Sequence, residues 1–262
     1  MSIVVITTKE ESKRQYVNSL HKMTSNGVAL VLFVKPKKTS ISKRIIGMYD
    51  RMTLSEFLIE VWYTFLLRYS KQVRNALTYF KISTLKETSS TEWIPKTIEV
   101  EDINSNTVKQ ILDKISPRLI VLWNSPIIKP HILQTAGQVI NLHMGLCPHY
   151  KGSVANQFAL LEGGKENVGA TIHYVDSTLD GGDIIAIIKP DITLPPRTFF
   201  CELNDKTQKC FLETAVRLFS GDRLVGTPQG LSTGKNYMLK HWTPKARYKT
   251  GKKILSWERS QN

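Results

Sequence analysis

The chain has 262 residues, of which 41% are apolar and 22% charged, a balance ordinary for a globular α/β protein. No apolar run approaches the roughly 20 residues that a membrane-spanning helix needs, and the three cysteines show neither metal-site spacing nor a disulfide framework. We therefore expect a cytoplasmic protein. Its net charge of +14 favours polyanionic partners, such as nucleic acid, an anionic membrane surface or a phosphate-bearing substrate, although a basic solvated surface explains it equally well.

The first third of the chain alternates predicted strands and helices. Ser2 to Thr8 is a continuous apolar and β-branched run, as expected of a central parallel strand. Helical spacing predicts a helix from about Glu10 to Thr24, and a second strand is predicted from Val28 to Val34. The turn after the first strand has no G-x-G-x-x-G pattern, so a nicotinamide or flavin cofactor is not supported.

A helical insertion is predicted at about residues 53–81, after a basic segment from Lys35 to Arg51. The stretch from Ser55 to Lys81 has helical periodicity, and its apolar side carries Phe57, Val61, Trp62, Phe65, Leu66 and Tyr69. Packing against the sheet, a dimer contact, a peripheral membrane contact or a wall of the functional site would each explain this side. We favour packing or a homodimer contact over a membrane contact.

The remaining elements complete a Rossmann-like α/β fold, with a mostly parallel twisted sheet and helices on both faces. Strands are predicted at Thr97–Val100, Pro117–Trp123, Gln138–Leu142, Gly169–Val175 and Ile184–Ile188. Helices are predicted at Asn104–Ile115, with Asn104 or Ser105 as cap, at Val154–Gly163 and at Thr198–Phe219. Residues 1–221 then form the main domain, and residues 222–262 form a small C-terminal extension or subdomain.

Three polar residues are candidates for chemistry at one edge of this sheet. Asn141 and His143 are two residues apart at the end of a strand, so their side chains leave the same face. Asp180 lies in a Gly-rich turn after a later strand. An amide that donates, an imidazole that moves a proton and a carboxylate that supports its charge suit acyl transfer to an amine. A strand-end pair and a simple turn would be the structural explanations of the same residues.

Several motifs in order resemble the formyltransferase family, over about residues 117–191. They are Asn-x-His at Asn141, the loop Pro148-x-Tyr150-x-Gly152, the pattern Gly169-x-Thr171-x-His173-x-x-Asp176, and Asp180-Gly-Gly-Asp-Ile. The resemblance implies transfer of a formyl group from N10-formyltetrahydrofolate to a primary amine, with Asn141, His143 and Asp180 as catalytic residues. We hypothesise that Asn141 and protonated His143 stabilise the oxyanion, while Asp180 raises the basicity of the histidine.

The resemblance also implies where the two substrates bind. The folate would contact Leu122, Trp123, Asn124, Ser125, Pro126, Ile127, Val175, Asp176 and Leu179. The acceptor would lie near Tyr150, Lys151, Gly152 and Ser153, where the start of the next helix offers backbone N–H groups to an anion. His149 and His173 have no second ligand at metal spacing, so we expect no metal, and His173 is interpreted as structural.

The acceptor amine is the least determined part of the prediction. The loop form His143-x-Gly-x-x-Pro-x-Tyr-Lys-Gly is more similar to the branch acting on nucleotide-linked amino sugars for surface polysaccharides. Glycinamide ribonucleotide and methionyl-tRNA remain alternatives; the 40 residues after 222 are too few for the barrel domain of tRNA enzymes. A binding protein without activity, using its basic surface on nucleic acid, is the alternative of another class.

Overall fold

The computed structural model describes residues 1–35, 52–83, 92–177, 179–230 and 234–261, so the predicted basic segment lies outside the described residues apart from Lys35. The described strands are β1 (Ile3–Thr7), β2 (Val28–Val34), β3 (Thr97–Val100), β4 (Leu119–Trp123), β5 (Gln138–His143), β6 (Tyr150–Lys151), β7 (Ala170–Tyr174), β8 (Ile184–Ile188) and β9 (Lys235–Asn236). The described α-helices are α1 (Glu11–Met23), α2 (Leu54–Tyr69), α3 (Lys71–Thr78), α4 (Asn106–Ile115), α5 (Pro130–Leu133), α6 (Ala155–Phe158), α7 (Pro196–Ser220) and α8 (Pro244–Arg259).

A seven-stranded sheet in the order β3-β2-β1-β4-β5-β7-β8 forms the centre of the fold. Only β7 runs against the other six strands, because it pairs antiparallel with both β5 and β8. Both faces of β1 and β4 are buried, which is why these strands are continuous apolar runs. The predicted Rossmann-like α/β fold is therefore confirmed.

Two apolar layers cover the two faces of the sheet. On one face, α1 and α7 pack through residues such as Val17, Leu20 and Phe211. On the other, α4 and α5 contribute Leu112 and Ile132. The two layers fix the carboxyl ends of the parallel strands at one edge, where Asn141 and His143 end β5.

The predicted insertion helix is two helices rather than one. The backbone of Ser70 leaves the helical region, and its hydroxyl accepts a hydrogen bond from the Val73 N–H to start α3. Packing explains only the inner side of α2, where Glu60 and Leu67 are buried. Of the two favoured explanations of the apolar side, packing against the sheet does not hold for Val61, Trp62, Phe65 and Tyr69, which are exposed, and a homodimer contact is not tested.

The C-terminal residues pack onto the rest of the fold. Strand β9 pairs with the short strand β6, which follows the loop after β5. Helix α8 packs against α2 and α3, with Gly251 against Val73, and its Ile254 is fully buried. Residues 234–261 therefore reach the edge of the sheet that carries the candidate site.

Candidate active site

Strands β5 and β7 bring four polar side chains to one place. In the register of this pair, Asn141 lies opposite His173, and His143 lies opposite Thr171. The hydroxyl of Thr171 accepts a hydrogen bond from the Cys147 N–H (3.1 Å) and donates one to the Gly145 carbonyl (2.7 Å). Thr171 is fully buried, so it fixes the loop that follows β5.

Asp180 meets both β5 residues. Its carboxylate Oδ1 is 3.4 Å from the Nδ2 of Asn141, and Oδ2 is 3.5 Å from the Nδ1 of His143. The Gly152 N–H donates to Oδ2 at 3.0 Å. The structure thus brings together all three residues that the sequence predicted to be catalytic.

The backbone of Asp180 is held in a left-handed conformation, with φ of 47°. Such a conformation costs free energy for a residue with a Cβ and needs support from its surroundings. Gln229 supplies this support, because its Nε2 donates to the carbonyl oxygens of Asp180 (2.9 Å) and Gly182 (2.7 Å). No pattern in the sequence pointed to Gln229.

Both ring nitrogens of His143 are engaged. Its Nε2 is 2.8 Å from the Tyr150 carbonyl oxygen, which only accepts, so Nε2 carries the proton in the neutral ring. Nδ1 then directs a lone pair at Asp180. A Cβ at position 145 would lie 2.5 Å from Nε2 and 2.6 Å from the Tyr150 oxygen, so glycine is required there.

The electrostatics of the pair favour a charged carboxylate and a neutral imidazole. Burial lowers the pKa of His143, and the negative charge of Asp180 and the Tyr150 carbonyl offset this only in part. Burial by itself raises the pKa of Asp180, but the hydrogen bond and attraction that His173 and His143 supply when protonated, together with the Gly152 N–H, hold it well below its usual range. The resting site therefore carries one negative charge and a free lone pair on Nδ1.

His173, interpreted as structural from the sequence, belongs to this cluster. Its Nδ1 donates to the Tyr174 carbonyl (2.6 Å), so the neutral ring accepts at Nε2, and the Nδ2 of Asn141 lies 3.1 Å away. The histidine thus orients the Asn141 amide. The signal in the sequence was its alternation with Thr171 in a predicted strand, which places both side chains on one face.

Two adjoining pockets open beside these residues. The first, here called the narrow pocket, reaches Asn141, His173 and Asp180. Its lining includes seven of the predicted folate-binding residues, namely Leu122, Ser125, Pro126, Ile127, Val175, Asp176 and Leu179. There are two exceptions. Asn124 lines only the second pocket, and the ring of Trp123 packs in the core against Tyr16 and Phe211, so only the backbone of Trp123 could contact a ligand.

The second pocket, here called the open cleft, has a volume of about 460 Å³, which is within the range of small-molecule sites. Asn141, His143 and Asp180 line it, together with Asn124, Gly152 and Ser153. Met238, two residues after β9, also lines it. The C-terminal residues therefore contribute directly to the site.

The predicted acceptor-binding residues divide into two groups. Gly152 and Ser153 face the open cleft, whereas the Tyr150 ring stacks on Tyr237 at 5.9 Å and does not line it. Lys151 pairs with Asn236 in the small sheet and does not line it either. The Gly152 N–H is taken by Asp180 and the Val154 N–H by the Tyr237 carbonyl, so these two amides are not free for an anion.

Within the described residues, no group of three or more His, Cys, Asp or Glu side chains could hold a metal ion. Nor is any helix of the described ranges long and apolar enough to cross a membrane. The Cys147 thiol borders the site, and burial, with the nearby Asp180, raises its pKa to about 12. It is therefore a neutral thiol and not a nucleophile.

Comparison with known proteins agrees with this geometry. The family profile described as formyl transferase matches residues 75–210, just over half of the chain. A methionyl-tRNA formyltransferase of Finegoldia magna is 34% identical over 111 residues, which cover 42% of this chain and 35% of that protein. Across the first three curated relatives, the match spans 35–49% of their length.

Two solved structures share the fold. A sugar N-formyltransferase from a Shewanella species superposes with a TM-score of 0.57 at 13% identity, covering 91% of this chain and 77% of that chain. A phosphoribosylglycinamide formyltransferase from Bacillus halodurans gives a TM-score of 0.52 at 16% identity, with coverage of 84% and 96%.

Proposed function

The chain belongs to the formyltransferase family, and we propose that it transfers a formyl group from N10-formyltetrahydrofolate to the amino group of a nucleotide-linked amino sugar. The observation that carries the proposal is the meeting of Asn141, His143 and Asp180 where the narrow pocket and the open cleft join. One pocket for each of two substrates, with polar groups between them, is what a direct transfer requires.

The narrow pocket fits a reduced pterin in its chemistry. Leu122, Ile127 and Val175 offer apolar surfaces to a flat ring. Ser125 and Asp176 add polar groups for its hydrogen-bonding edge. When bound, N10-formyltetrahydrofolate supplies a formyl group on a nitrogen.

His143 and Asp180 handle the proton of the attacking amine in this proposal. The lone pair on Nδ1 of His143 can receive that proton, and the imidazolium that results lies 3.5 Å from the charged carboxylate of Asp180. The sequence hypothesis also gave a protonated His143 a share in stabilising the oxyanion. The lowered pKa of His143 and its Nε2–H bond to Tyr150 favour a ring that is neutral at first and becomes protonated only by the amine. The pair takes up the amine proton and returns it to N10 of the folate as the bond between N10 and the formyl carbon breaks.

Asn141 stabilises the charge that develops on oxygen during transfer. It lines both pockets, and His173 fixes the orientation of its amide. The bond from Nδ2 to His173 holds the amide in place, and the longer contact of 3.4 Å from Nδ2 to Asp180 is the one that the developing oxygen would replace. Asn141 and the His143–Asp180 pair then have separate roles.

The choice of an amino sugar rests on the loop and on charge. The loop from His143 to Gly152 has the form that resembles the amino-sugar branch, and the net charge of +14 suits an anionic nucleotide. The solved structures do not decide the acceptor, since sugar and glycinamide ribonucleotide enzymes share this fold. Both glycinamide ribonucleotide and methionyl-tRNA therefore belong in the test.

The test is incubation of the chain with N10-formyltetrahydrofolate and a panel of amines: nucleotide-linked amino sugars, glycinamide ribonucleotide and methionyl-tRNA. We expect the mass of one formyl group to be added to an amino-sugar nucleotide. Exclusive formylation of either other amine would reject the amino-sugar assignment. Release of free formate alone, or oligonucleotide binding without folate affinity, would reject formyl transfer itself.

A further inference from the structure

Helix α2 exposes an apolar stripe along its whole length. Seven of the sixteen large apolar side chains that are exposed among the described residues lie on this one helix. Six of them share one side at helical spacing and are here called the α2 stripe: Leu54, Leu58, Val61, Trp62, Phe65 and Tyr69. A continuous apolar face of this kind marks a surface that meets a partner.

The aromatic members of the stripe form a continuous row. The rings of Trp62 and Phe65 are stacked at 5.9 Å, and those of Phe65 and Tyr69 are 4.4 Å apart. Their exposed fractions are 58%, 51% and 69%. Trp and Tyr are the side chains that proteins place at the boundary between lipid and water, because each combines an apolar ring with a polar atom.

The neighbouring helix carries positive charge. Helix α8 contacts α2 through the rings of Tyr63 and Tyr248, 5.5 Å apart, and through the Lys245 N–H, which donates to Glu60 at 2.8 Å. Beside Tyr248, one side of α8 is basic, and it is here called the α8 basic face: Lys245, Lys249, Lys252 and Arg259. None of these four makes a salt bridge with another described residue.

Charge decides which partner suits this surface. Helices α2, α3 and α8 together carry nine Lys and Arg residues but only three Glu residues and no Asp. Two copies of so basic a layer repel each other, whereas an anionic lipid surface attracts it and also accepts the apolar stripe. Helices that lie in the plane of a membrane surface combine an apolar face with basic residues beside it, and here α2 supplies the apolar face and α8 the basic residues.

We propose that the α2 stripe and the α8 basic face form a binding surface for an anionic phospholipid bilayer, on which the chain docks without crossing it. Apolar side chains enter the headgroup region, while the lysines and Arg259 pair with anionic headgroups. The surface is separate from the narrow pocket and the open cleft, so the proposal does not depend on the proposed reaction.

Flotation with vesicles tests the proposal. The full chain is mixed with vesicles of phosphatidylcholine containing about 30 mol % phosphatidylglycerol, or of phosphatidylcholine alone. We expect binding to the first and much weaker binding to the second. Binding should also weaken at about 0.5 M salt, because the electrostatic part is screened.

Variants distinguish binding through the α2 stripe from nonspecific binding to the vesicles. Trp62→Ser combined with Phe65→Ser should reduce binding at least about tenfold, since two rings no longer enter the bilayer. Met23→Ser removes an apolar side chain of similar exposure, 55%, outside this layer and should bind as the unchanged chain does. Lys249→Gln with Lys252→Gln should lower binding to the anionic vesicles and reduce its salt dependence.

Three results would overturn the proposal. The first is no binding to anionic vesicles, and the second is equal binding by the Trp62, Phe65 variant with an unchanged unfolding midpoint. The third is a dimer in sizing experiments that this variant splits into monomers while vesicles are not bound. In that case the stripe is the interface between two copies of the chain.

Discussion

In the proposed reaction, His143 is the residue that accepts the proton of the attacking amine, and each of its ring nitrogens has a defined partner. Tyr150 accepts from Nε2–H, and Asp180 faces Nδ1. When Nδ1 gains a proton, its contact with the carboxylate of Asp180 becomes an ion pair, and this stabilises the protonated ring. The resting protonation state of this ring is therefore the first quantity to measure.

The rate of transfer should fall as the pH falls through the pKa of His143. Burial places this pKa below its ordinary value of 6.5, so the ring accepts a proton from the amine only above it, and the acid limb of kcat/KM should lie below 6.5. Asp180→Asn removes the charge that raises this pKa, so the limb should move to still lower pH and the rate should drop. A pH–rate profile of both proteins checks this. A rate that rises as the pH falls would instead support a protonated His143.

Asn141→Ala should reduce kcat about a hundredfold or more, which is the usual cost of losing one donor to a developing oxyanion. The fold should persist, because the side chain is only half-buried and its partners are side chains of the site. Steady-state kinetics and the unfolding midpoint measure the two effects. Asn75→Ala, an exposed position on α3, is the matched control. An unchanged kcat for Asn141→Ala would remove this residue from the proposed mechanism.

Some residues of the site could be predicted from the sequence, and others could not. Asn141 and His143 could be placed together by their spacing in a strand, and Asp180 by the order of motifs. Gln229 and Met238 could not, because they reach the site through the pairing of β6 with β9 and through a turn far along the chain. Such contacts depend on tertiary packing, which no local pattern reports.

At the scale of elements, strands were predicted well and interrupted helices were not. β2, β3 and β8 have the predicted ends. β2 and β8 are short apolar runs, and β3 lies between polar stretches, so each has clear ends in the sequence. The break at Ser70 was missed because Leu66, Tyr69 and Val73 keep helical spacing across it. The predicted helix at Val154–Gly163 is α6 followed by π-helical residues 159–163, a change that periodicity cannot reveal over so few residues.

The segment around Gln229 should act on the site through Asp180. Gln229→Leu removes both donors to the Asp180 and Gly182 carbonyls, so we expect kcat to fall about tenfold with the KM for the amine unchanged. The acid limb should also move to lower pH, as in Asp180→Asn. Gln229→Glu should not rescue activity, because a carboxylate cannot donate to two carbonyls. Gln72→Leu, exposed on α3, serves as the control. A changed KM with normal kcat would contradict this role.

The end of β9 should influence the acceptor and not the folate. Met238 lines the open cleft but not the narrow pocket. Met238→Ala should therefore raise the KM of the acceptor amine up to about tenfold, by loss of apolar contact, and leave the KM of the folate unchanged. Leu239→Ala, at the next and more exposed position, should change neither. An equal change in both KM values would place Met238 elsewhere in the function.

At the scale of the whole molecule, we expect the C-terminal helix to unfold together with the sheet. Ile254 is fully buried in the same apolar layer as the sheet, and Trp257 packs edge-on against Phe199 at 5.0 Å. Ile254→Ala should lower the free energy of unfolding by about 2–4 kcal/mol. Denaturation followed by far-ultraviolet circular dichroism should show a single transition in both proteins. A separate early transition in the variant would mean that residues 222–262 form an independent unit.

Met238 lies far along the chain from the residues proposed for catalysis. The three residues proposed for chemistry all precede residue 181, while Met238, which also lines the open cleft, is attached through the two-residue strand β9. A change at Met238 could therefore alter the preferred amine and leave the three residues in place, provided that the contact from Tyr237 to the Val154 N–H is kept. Diversity of acceptors can arise in this way from small exchanges of sequence late in the chain.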